Sequence, residues 1–488
     1  MKKTKNLKEK KKIRKKNNGH IVFITLIFVA LFVAMSWYIV SYALNNKQEL
    51  ISNSYNTRQK ILQAKNMRGT IYSADGKSLV SSKLNDEGTE VRTYHYGPMF
   101  AHVVGYAING RMGIESSANY YLINSNAPIS VKAQNDSKGI KYPGDSVYST
   151  LDFTLQETAY NAMGMYHGAV IVTEPSTGKV LALVSKPDFD PAEIAIRWDE
   201  FLHDEESSVL LNRVTLGSYP PGSTFKILTA LEYIRENPES YDKYNYNCTG
   251  SFKNGEDMIR CYHGTVHGGV SFKKSFAKSC NCSFANIGLS LDKNAFNNTL
   301  KEMLFDTSLP SKIGGNSGKL EVGENTPDTD MIQIVIGQGV ANISPLQLNM
   351  ITSAIANDGV LMEPYVIDKV INSENTVIKQ FKPAVYGNLL SEDEAFIMKD
   401  LMEDVVKEGT ATKLKNSPYY AGGKTGSAEF GTVKGESHAW FTGYAGKIDD
   451  EGNNEQPDIC VTIIIEGAGA GGEYAVPIAK RIFDEYYR

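Results

Sequence analysis

The sequence has little of what marks a repeat protein, a polytopic membrane protein or a nucleic-acid-binding protein. Its 488 residues contain no internal repeat, no long low-complexity linker and only one long uncharged apolar run. One such run provides at most one transmembrane helix. Because 488 residues exceed the usual size of one compact domain, we expect two or more folded units.

Basic residues are in the minority outside the N-terminus. Residues 1–19 contain ten Lys or Arg and one acid, so that 41 of the 51 basic and 54 of the 55 acidic residues lie beyond them. An acidic protein is a poor ligand for nucleic acid, and we therefore predict no nucleic-acid partner.

The apolar run, residues 21–44, is 24 residues long and can span a bilayer with some tilt. A cleaved signal peptide is the alternative, because "SYA" near the end of the run offers small residues, but the apolar core of such a peptide has only about 7 to 15 residues. The run therefore predicts an uncleaved anchor at 21–44. The basic tail, residues 1–20, is expected to stay in the cytoplasm, which places the chain after the anchor outside the cell membrane.

Residues 45–146 predict a small module between the anchor and the rest of the chain. After a polar stalk, "ADG" at 74–76 is typical of a hairpin turn between two short strands. The remainder of the module is rich in Asn, Ser and Gly and has no strong periodicity. Its residues alone do not choose between an α/β module and a pedestal.

Residues 147–488 predict a single α+β domain. Two apolar runs, 169–173 and 180–184, flank "PSTG" and indicate a hairpin of buried strands. Near the C-terminus "AGGKTGSAEF", "HAWFTGYAG" and "ICVTIIIEG" are further strand candidates, and 475–487 has a helical pattern. Strands at both ends with helices between them indicate one antiparallel sheet that the chain leaves and rejoins.

The segment "YPPGSTFK" places a serine and a lysine three residues apart. Pro220 and Pro221 prevent a helix upstream and Gly222 frees the turn, so Ser223 is expected at the start of a helix. Three residues are nearly one helical turn, which puts Ser223 and Lys226 on one face. Serine becomes a nucleophile with the help of a base, and lysine can be that base only if burial or a second cation keeps it neutral.

Two later segments offer the groups that such a pair needs. In "GGKTGSAEF", Lys424 is the second cation, the hydroxyls of Thr425 and Ser427 suit a carboxylate, and Gly426 lets a substrate backbone approach the strand. In "KSCNCSF", Ser279 and Asn281 lie two residues apart on a predicted loop and offer a hydroxyl relay and an amide.

Ser-x-x-Lys, Ser-x-Asn and Lys-Thr-Gly in this order form the penicilloyl-serine transferase signature. The chain resembles the class B penicillin-binding proteins, the monofunctional D,D-transpeptidases of bacterial cell-wall synthesis. The resemblance extends to "NTR", "RGTIYSADGKSLV" and "RMGIESS" in the N-terminal module and to "STLDFTLQ", "GAVIVTEPSTGKVLALVSKPDFDP", "IGQGVANISPLQL" and "AIANDGVLMEP" in the larger domain. It implies a five-stranded antiparallel sheet flanked by helices, with a small pedestal or dimerisation-like N-terminal module.

The resemblance also implies a role for each motif residue. Ser223 would attack the penultimate D-alanyl carbonyl of a stem peptide, and Lys226 would take its proton. Ser279 would relay that proton to the departing D-alanine, while Asn281 would hold the peptide amide and orient Lys226.

The carboxylate end of the peptide would meet the third motif. Lys424 would supply positive potential, and Thr425 and Ser427 would bind the terminal carboxylate. The backbone N-H groups of Ser223 and Ser427 would form the oxyanion hole. The position of Ser427 is often Thr in this family, so the serine is a departure that keeps the hydroxyl.

The partners that the resemblance implies are stem peptides ending in D-Ala-D-Ala, β-lactams and a polytopic glycosyltransferase. The alternatives are a membrane-anchored β-lactam sensor, a D,D-carboxypeptidase and a β-lactamase. Sensors usually have several membrane spans, and this chain has one apolar run. "EVGEN", residues 321–325, imitates a lactamase element, but it lies in a Gly/Asn-rich stretch and a lactamase does not need the N-terminal module.

Four of the five cysteines fall in one window, together with His263 and His267. A disulfide between Cys248 and Cys261 is the simplest hypothesis outside the membrane, and similar cysteine segments occur in Gram-positive relatives. A structural zinc ion is the alternative, although the spacing fits no standard zinc finger. Catalysis itself is expected to need no cofactor, and Cys460, in an apolar strand, is expected to be a core thiol. The candidate zinc ligands are Cys248, Cys261, His267 and Cys282, with His263 as a substitute.

Overall fold

The computed structural model describes residues 2–45, 58–204, 208–430 and 436–488, which divide into two compact units, Met1–Ala64 and Lys65–Arg488. The first unit contains the long helix α1 (Lys2–Asn45) and all but the last residue of helix α2 (Arg58–Lys65). Among the described residues, α1 is the one helix long and apolar enough to cross a membrane, with a mean hydropathy of 2.4 over its most apolar window. The predicted anchor, 21–44, lies within it.

The N-terminal part of the second unit is a small mixed α/β arrangement. Along the chain, four short strands come first, four short helices follow, and two more short strands end this part. The elements are β1 (Asn66–Met67), β2 (Ile71–Tyr72), β3 (Ser78–Leu84), β4 (Glu90–Tyr94), α3 (Ala101–Val104), α4 (Gly113–Ser117), α5 (Asn119–Ile123), α6 (Ile129–Lys138), β5 (Tyr142–Pro143) and β6 (Ser146–Ser149).

A buried carboxylate ties these elements together. Glu115, on α4, is fully buried and pairs with Arg68 Nε at 2.6 Å and with Arg92 Nε at 2.8 Å. Burial alone would raise the pKa of Glu115, but the two guanidinium groups outweigh it and hold that pKa below its ordinary value. Arg68 and Glu115 belong to the segments "RGTIYSADGKSLV" and "RMGIESS", so this ion pair joins two of the segments that carry the family resemblance.

The larger part of the second unit begins with a helix that packs against a hairpin. Asp152 caps that helix, because its side chain accepts a hydrogen bond from Leu155 N. The elements up to the last motif are α7 (Phe153–Met163), β7 (Gly168–Thr173), β8 (Val180–Lys186), α8 (Ile194–His203), α9 (Lys226–Glu236), β9 (Asn245–Cys248), β10 (Ser251–Asn254), β11 (Asp257–Arg260), β12 (Gly268–Ser271), α10 (Phe272–Ala277), α11 (Asn281–Gly288), α12 (Lys293–Glu302), α13 (Asp328–Ile334), α14 (Pro345–Ala356), β13 (Val360–Met362), β14 (Ile367–Ile371), β15 (Val377–Gln380), β16 (Val385–Asn388) and α15 (Glu392–Lys407).

The chain then returns to the hairpin and completes an antiparallel sheet. Three further strands and a helix follow, namely β17 (Tyr420–Glu429), β18 (Ser437–Gly446), β19 (Ile459–Ile465) and α16 (Gly471–Tyr486). The strand order is β17-β18-β19-β7-β8, with every neighbouring pair antiparallel. The predicted five-stranded antiparallel sheet, which the chain leaves and rejoins, is confirmed.

Helices cover both faces of this sheet. Every residue of β18 and β19 is buried, which requires apolar cover on both sides of the strands. On one face Thr352 of α14 hydrogen-bonds Thr442 at 2.7 Å, and α14 is buried along its whole length. Helices α16 and α7 pack against each other and against the sheet strands β18 and β8.

A second sheet joins the two parts of this unit. Its order is β15-β14-β6-β2-β3-β4, so β14 and β15, from far along the chain, extend the sheet of the N-terminal part. Strand β6 contains the predicted boundary between residues 146 and 147. The domain bounds 45–146 and 147–488 therefore stay a prediction, and the chain crosses between the two parts more than once.

Candidate active site

The serine of "YPPGSTFK" lies in a tight turn before helix α9. Residues Gly222–Phe225 form a 3₁₀ turn, and α9 begins at Lys226. Gly222 has a φ of +53°, and a Cβ there would lie 2.8 Å from Ser427 O, so both backbone conformation and space favour glycine. Two contacts hold the turn: Gly222 N donates to Gly337 O at 2.9 Å, and Trp440 Nε1 donates to Pro220 O at 3.0 Å.

Lys226 connects this turn to the second motif. Its side chain is fully buried, and its Nζ donates to Ser279 O at 2.8 Å, to Ser279 Oγ at 3.2 Å and to Asn281 Oδ1 at 2.6 Å. These three bonds use the three hydrogens of an ammonium group. A hydrogen bond to the hydroxyl of Ser223 therefore has to come from a rearranged or neutral Lys226.

The second motif was predicted on a loop, but only Ser279 lies in the connection between helices α10 and α11, and Asn281 is already helical. Ser279 has a φ of +56°, an uncommon conformation for a residue with a Cβ, and Asn281 is the first residue of α11. The amide of Asn281 is oriented from both ends, because Oδ1 accepts from Lys226 and Nδ2 donates to Arg260 O at 2.9 Å.

The third motif lies on β17, as predicted. Lys424 is fully buried, and its Nζ donates to Ser279 Oγ at 2.9 Å and to Thr425 O at 3.1 Å. A Cβ at Gly426 would lie 2.9 Å from Pro221 O. In this structure Gly426 thus lets β17 pack against the turn that carries Ser223, a role that the sequence does not reveal.

The two buried lysines share one hydroxyl. Burial lowers the pKa of Lys226 to about 8. Burial and the nearby charge of Lys226 lower the pKa of Lys424 well below its ordinary value. Two ammonium groups that both contact Ser279 Oγ disfavour each other, so the arrangement favours one protonated and one neutral amine.

The three motifs meet in one cleft of about 490 Å³. Ser223, Ser279, Asn281, Thr425 and Ser427 line it, and Lys226 and Lys424 lie behind its wall. The segment 321–325 contributes none of the described residues that line the cleft. The remaining lining residues are Tyr262, Thr265, His267, Lys278, Gly409, Thr410, Thr412, Lys413, Ala470, Gly471, Gly472 and Glu473.

Thr410 lines the cleft but could not be identified from the sequence. The hydroxyl of Thr410 hydrogen-bonds that of Thr425, which extends the third motif by one hydroxyl. Thr410 belongs to no recognisable motif, and only the packing of the loop after α15 against β17 brings it to the cleft.

The four clustered cysteines lie together beside the second motif. Cys248 is the last residue of β9, which pairs with β12, and Cys261 directly follows β11, which pairs with β10. All five cysteines are free thiols in this structure. The Sγ atom of Cys261 lies 3.6 Å from that of Cys248, 3.8 Å from that of Cys280 and 3.4 Å from that of Cys282. The imidazole Nδ1 of His267 lies 3.5 Å from Cys248 Sγ.

The compact set of possible metal ligands differs from the predicted set in one residue. Cys248, Cys261, His267 and Cys280 place one ligand atom each within 4.8 Å of the others. Cys280 thus replaces Cys282 of the predicted set. The predicted disulfide between Cys248 and Cys261 is not formed in this structure.

Two family models match the chain. One, described as the penicillin-binding protein transpeptidase domain, matches residues 168–484. The other, described as the penicillin-binding protein A dimerisation domain, matches residues 68–147. Together they account for nearly all of the second unit.

Curated relatives agree with these matches. The chain is 28% identical over 457 residues to the peptidoglycan D,D-transpeptidase PbpA of Mycolicibacterium smegmatis, which covers 87% of this chain and 90% of the relative. It is also 27% identical over 422 residues to the stage V sporulation protein D of Bacillus subtilis, with 80% and 63% coverage.

Solved structures share the fold. The D,D-transpeptidase domain of a peptidoglycan glycosyltransferase from Eggerthella lenta aligns with a TM-score of 0.76 and 25% identity, covering 86% of this chain and 98% of that one. The ceftriaxone acyl-enzyme complex of penicillin-binding protein A from M. tuberculosis aligns with a TM-score of 0.78 and 24% identity, covering 88% and 100%.

Proposed function

This chain belongs to the penicillin-binding protein transpeptidase family, and we propose that it cross-links peptidoglycan stem peptides ending in D-Ala-D-Ala through an acyl-enzyme on Ser223. The family and its D,D-transpeptidase activity follow from the match over residues 168–484. What we propose for this chain is the role of each residue in the reaction. The observation that carries it is the approach of Lys226 Nζ and Lys424 Nζ to one hydroxyl, Ser279 Oγ.

In the first half-reaction Ser223 Oγ attacks the carbonyl carbon of the penultimate D-alanine, and its proton passes to neutral Lys226. The bond from that carbon to the nitrogen of the terminal D-alanine then breaks. Ser279, which contacts both lysines, passes a proton to the leaving amine. The product is an ester between the stem peptide and Ser223, with free D-alanine.

The other motif residues hold the donor peptide. Thr425 and Ser427 line the cleft and are assigned to the terminal carboxylate, with Lys424 supplying positive charge. Asn281 Nδ2 has two hydrogens and donates one to Arg260 O, so the other is available to the carbonyl of the peptide backbone. The N-H groups of Ser223 and Ser427 are assigned to the oxyanion.

In the second half-reaction the amine of a neighbouring stem peptide attacks the ester carbon. A carbon-nitrogen bond forms, the bond to Ser223 Oγ breaks, and the amine proton returns to the serine through Lys226. A β-lactam is assigned the place of the donor, and its acyl-enzyme persists because no leaving group vacates the cleft.

Cross-linked product separates a transpeptidase from a D,D-carboxypeptidase. With lipid-linked substrate and a glycosyltransferase to polymerise it, we expect the full chain in detergent to produce peptide dimers, detected by mass spectrometry after muramidase digestion. Because dimers form only when an amine resolves the acyl-enzyme, they should disappear in benzylpenicillin. Free D-alanine and trimmed monomers without dimers would contradict the cross-linking activity.

The rate of acylation should depend on the protonation of Lys226. Since burial lowers the pKa of Lys226 to about 8 and the base must be neutral, the rate should rise as the pH rises towards that value. We expect the second-order rate constant for benzylpenicillin to increase about tenfold per pH unit below pH 8 and to level off above it.

Stopped-flow measurement from pH 6 upward checks this profile. The carboxylate of benzylpenicillin stays ionised over the range, because α-carboxyl groups titrate at about 3.5. Its negative charge beside Lys424 favours the protonated form of that lysine. A rate constant independent of pH, or one that falls as the pH rises, would show that Lys226 is not the base.

Helix α1 supports a location at the cell membrane. An apolar N-terminal helix of this kind suits a membrane anchor. Its basic tail, residues 1–20, supports an orientation with the N-terminus in the cytoplasm and the catalytic unit outside. A polytopic glycosyltransferase, which supplies the glycan strands, is the partner that the resemblance implies.

We further infer that Cys248, Cys261, His267 and Cys280 hold a structural zinc ion. Three thiols and an imidazole are a common zinc donor set. Zinc-sulfur bonds of about 2.3 Å in a tetrahedron place the sulfur atoms about 3.8 Å apart. The Sγ atom of Cys261 lies 3.6 Å from that of Cys248 and 3.8 Å from that of Cys280, which fits this geometry.

Backbone N-H groups support the same assignment. Gly250 N donates to Cys248 Sγ and Ser283 N donates to Cys280 Sγ, each at 3.4 Å, and such bonds stabilise thiolates. A bound zinc ion would tie its four protein ligands together and would take no part in catalysis. Its protein ligands would fix the strands β9 to β12 beside Asn281, whose amide bonds Arg260 O next to Cys261.

A further inference from the structure

One wall of the cleft lies outside the three motifs and contains charged residues. It is formed by the start of α16 and by the loop between α15 and β17. Lys278 and Lys413 line this part, and both ammonium groups donate to backbone oxygens, those of Glu408 and Glu473. Among the described residues that line the cleft, Glu473 is the only acid.

The side chain of Glu473 is exposed, and the residue lines the cleft. Half-exposed Tyr262 also lines the cleft, and burial together with the negative charge of Glu473 raises the pKa of its hydroxyl. Within the described part of the chain the carboxylate has no ion-pair partner within 4.0 Å, since Lys413 contacts the backbone oxygen of Glu473 instead. The carboxylate is therefore available to a cation that enters the cleft.

The second half-reaction needs such a group. The acceptor is a primary amine, which is an ammonium ion at neutral pH because its pKa is near 10 for an amine side chain. It must approach a site that contains Lys226 and Lys424, and a positive interior repels an ammonium ion. A carboxylate at the entrance offsets this repulsion and raises the local concentration of the acceptor.

We propose that Glu473 binds the ammonium group of the acceptor and is a specificity-determining residue of the cross-linking step. This inference rests on the proposed function. Glu473 takes no part in the bond changes. After binding, the ammonium passes one proton to solvent water, and the amine attacks the carbon of the Ser223 ester to form a carbon-nitrogen bond. The bond to Ser223 Oγ breaks, and the second proton of the nitrogen passes through Lys226 to that oxygen. Acylation by a donor or by a β-lactam does not involve an ammonium group and should not depend on Glu473.

The simplest structural role of Glu473 predicts a different result. Glu473 is in the first turn of α16, where a negative charge stabilises the helix dipole. If that were its only role, replacing it would lower stability and leave the affinity for the acceptor unchanged. The acceptor concentration that half-saturates the second half-reaction therefore distinguishes acceptor binding from helix stabilisation.

The test uses the full chain in detergent with a D-alanyl thioester as donor and glycinamide as acceptor. At pH 7 glycinamide is mostly protonated, because α-amino groups titrate at about 7.7 to 8.0. The ratio of aminolysis to hydrolysis is measured against glycinamide concentration. In Glu473→Gln we expect the half-saturating concentration to rise about twofold to fivefold, as for one exposed charge.

The matched control is Glu485→Gln, at the other end of the same helix, where the carboxylate pairs with Arg488 at 3.4 Å. It should leave the half-saturating concentration unchanged, and both variants should react with benzylpenicillin within about twofold of the wild-type rate. In the wild type, about 0.5 M NaCl should raise the half-saturating concentration, because salt screens an exposed charge. This measurement needs no variant and so does not depend on the folding of one.

Two results would overturn the inference. One is an unchanged half-saturating concentration in Glu473→Gln with penicillin acylation intact. The other is a wild-type half-saturating concentration that does not respond to salt. Failure of the wild type itself to react with benzylpenicillin would be a different result, because it would refute the serine acyl-enzyme on which the assignment of Glu473 rests.

Discussion

Replacing Ser223 by alanine is expected to reduce covalent labelling of the full chain by a fluorescent penicillin to below about 1% of the wild-type signal. Of the two hydroxyls in its turn, that of Thr224 is buried and donates to Pro221 O, whereas Ser223 lines the cleft and can form the ester. The turn itself is held by backbone contacts. Gly222 N to Gly337 O and Trp440 Nε1 to Pro220 O involve no atom of the Ser223 side chain. The variant should therefore keep its fold while losing its nucleophile.

Ser240→Ala is a suitable control, because Ser240 is exposed and its side chain makes no capping hydrogen bond. It should label like the wild type. A thermal melt of Ser223→Ala within about 2 °C of the wild-type value would show that the fold is retained. Equal labelling of wild type and Ser223→Ala would place the acyl group on another residue, and absence of labelling in both would refute the serine acyl-enzyme.

The sequence predicted the parts of the fold whose pattern is local. The hairpin expected at 169–173 and 180–184 appears as Gly168–Thr173 and Val180–Lys186. Short apolar runs rich in β-branched residues and bounded by turn residues favour buried strands over helices. The final helix begins at Gly471 rather than at residue 475, because its first residues, two glycines and an acid, carry no apolar periodicity.

What the sequence could not predict depends on pairing between distant segments. Strand β14 pairs with β6, more than 200 residues earlier, and nothing in either short strand specifies its partner. The same limit applies to Gly426, whose neighbour Pro221 lies far away in the chain. Thr410 and Glu473 reach the cleft through loops that have no motif.

The candidate site was predictable because its three motifs are short and local in geometry. Ser223 and Lys226 are separated by one turn, Ser279 and Asn281 flank the start of α11, and Lys424 begins the motif on its strand. That the three motifs meet depends on the fold. They meet at Ser279 Oγ, which accepts hydrogen bonds from Lys226 and Lys424. The sequence could not tell whether Cys280 or Cys282 joins the other candidate zinc ligands. The two cysteines are only two residues apart, and the choice depends on how the distant Cys248, Cys261 and His267 pack against them.

Replacing Cys261 by serine is expected to remove bound zinc from the full chain and to destabilise it. Cys261 Sγ lies within 3.8 Å of three other sulfur atoms, so its loss disrupts the donor set more than the loss of any other cysteine. We expect zinc to fall from about one ion per chain to below about 0.1, measured by plasma mass spectrometry. The apparent melting temperature should fall by at least about 5 °C.

The same variant should also be acylated more slowly, because Arg260 O, beside Cys261, orients the amide of Asn281, which in turn contacts Lys226. Cys460→Ser is the matched control: Cys460 is equally buried, but its neighbour is Asn349, on α14 behind the central sheet, and zinc content should not change. Thiol titration of the denatured wild type after chelation then separates zinc from a disulfide. Zinc binding requires all five thiols to react, whereas three reactive thiols and negligible zinc would establish the Cys248 to Cys261 disulfide instead.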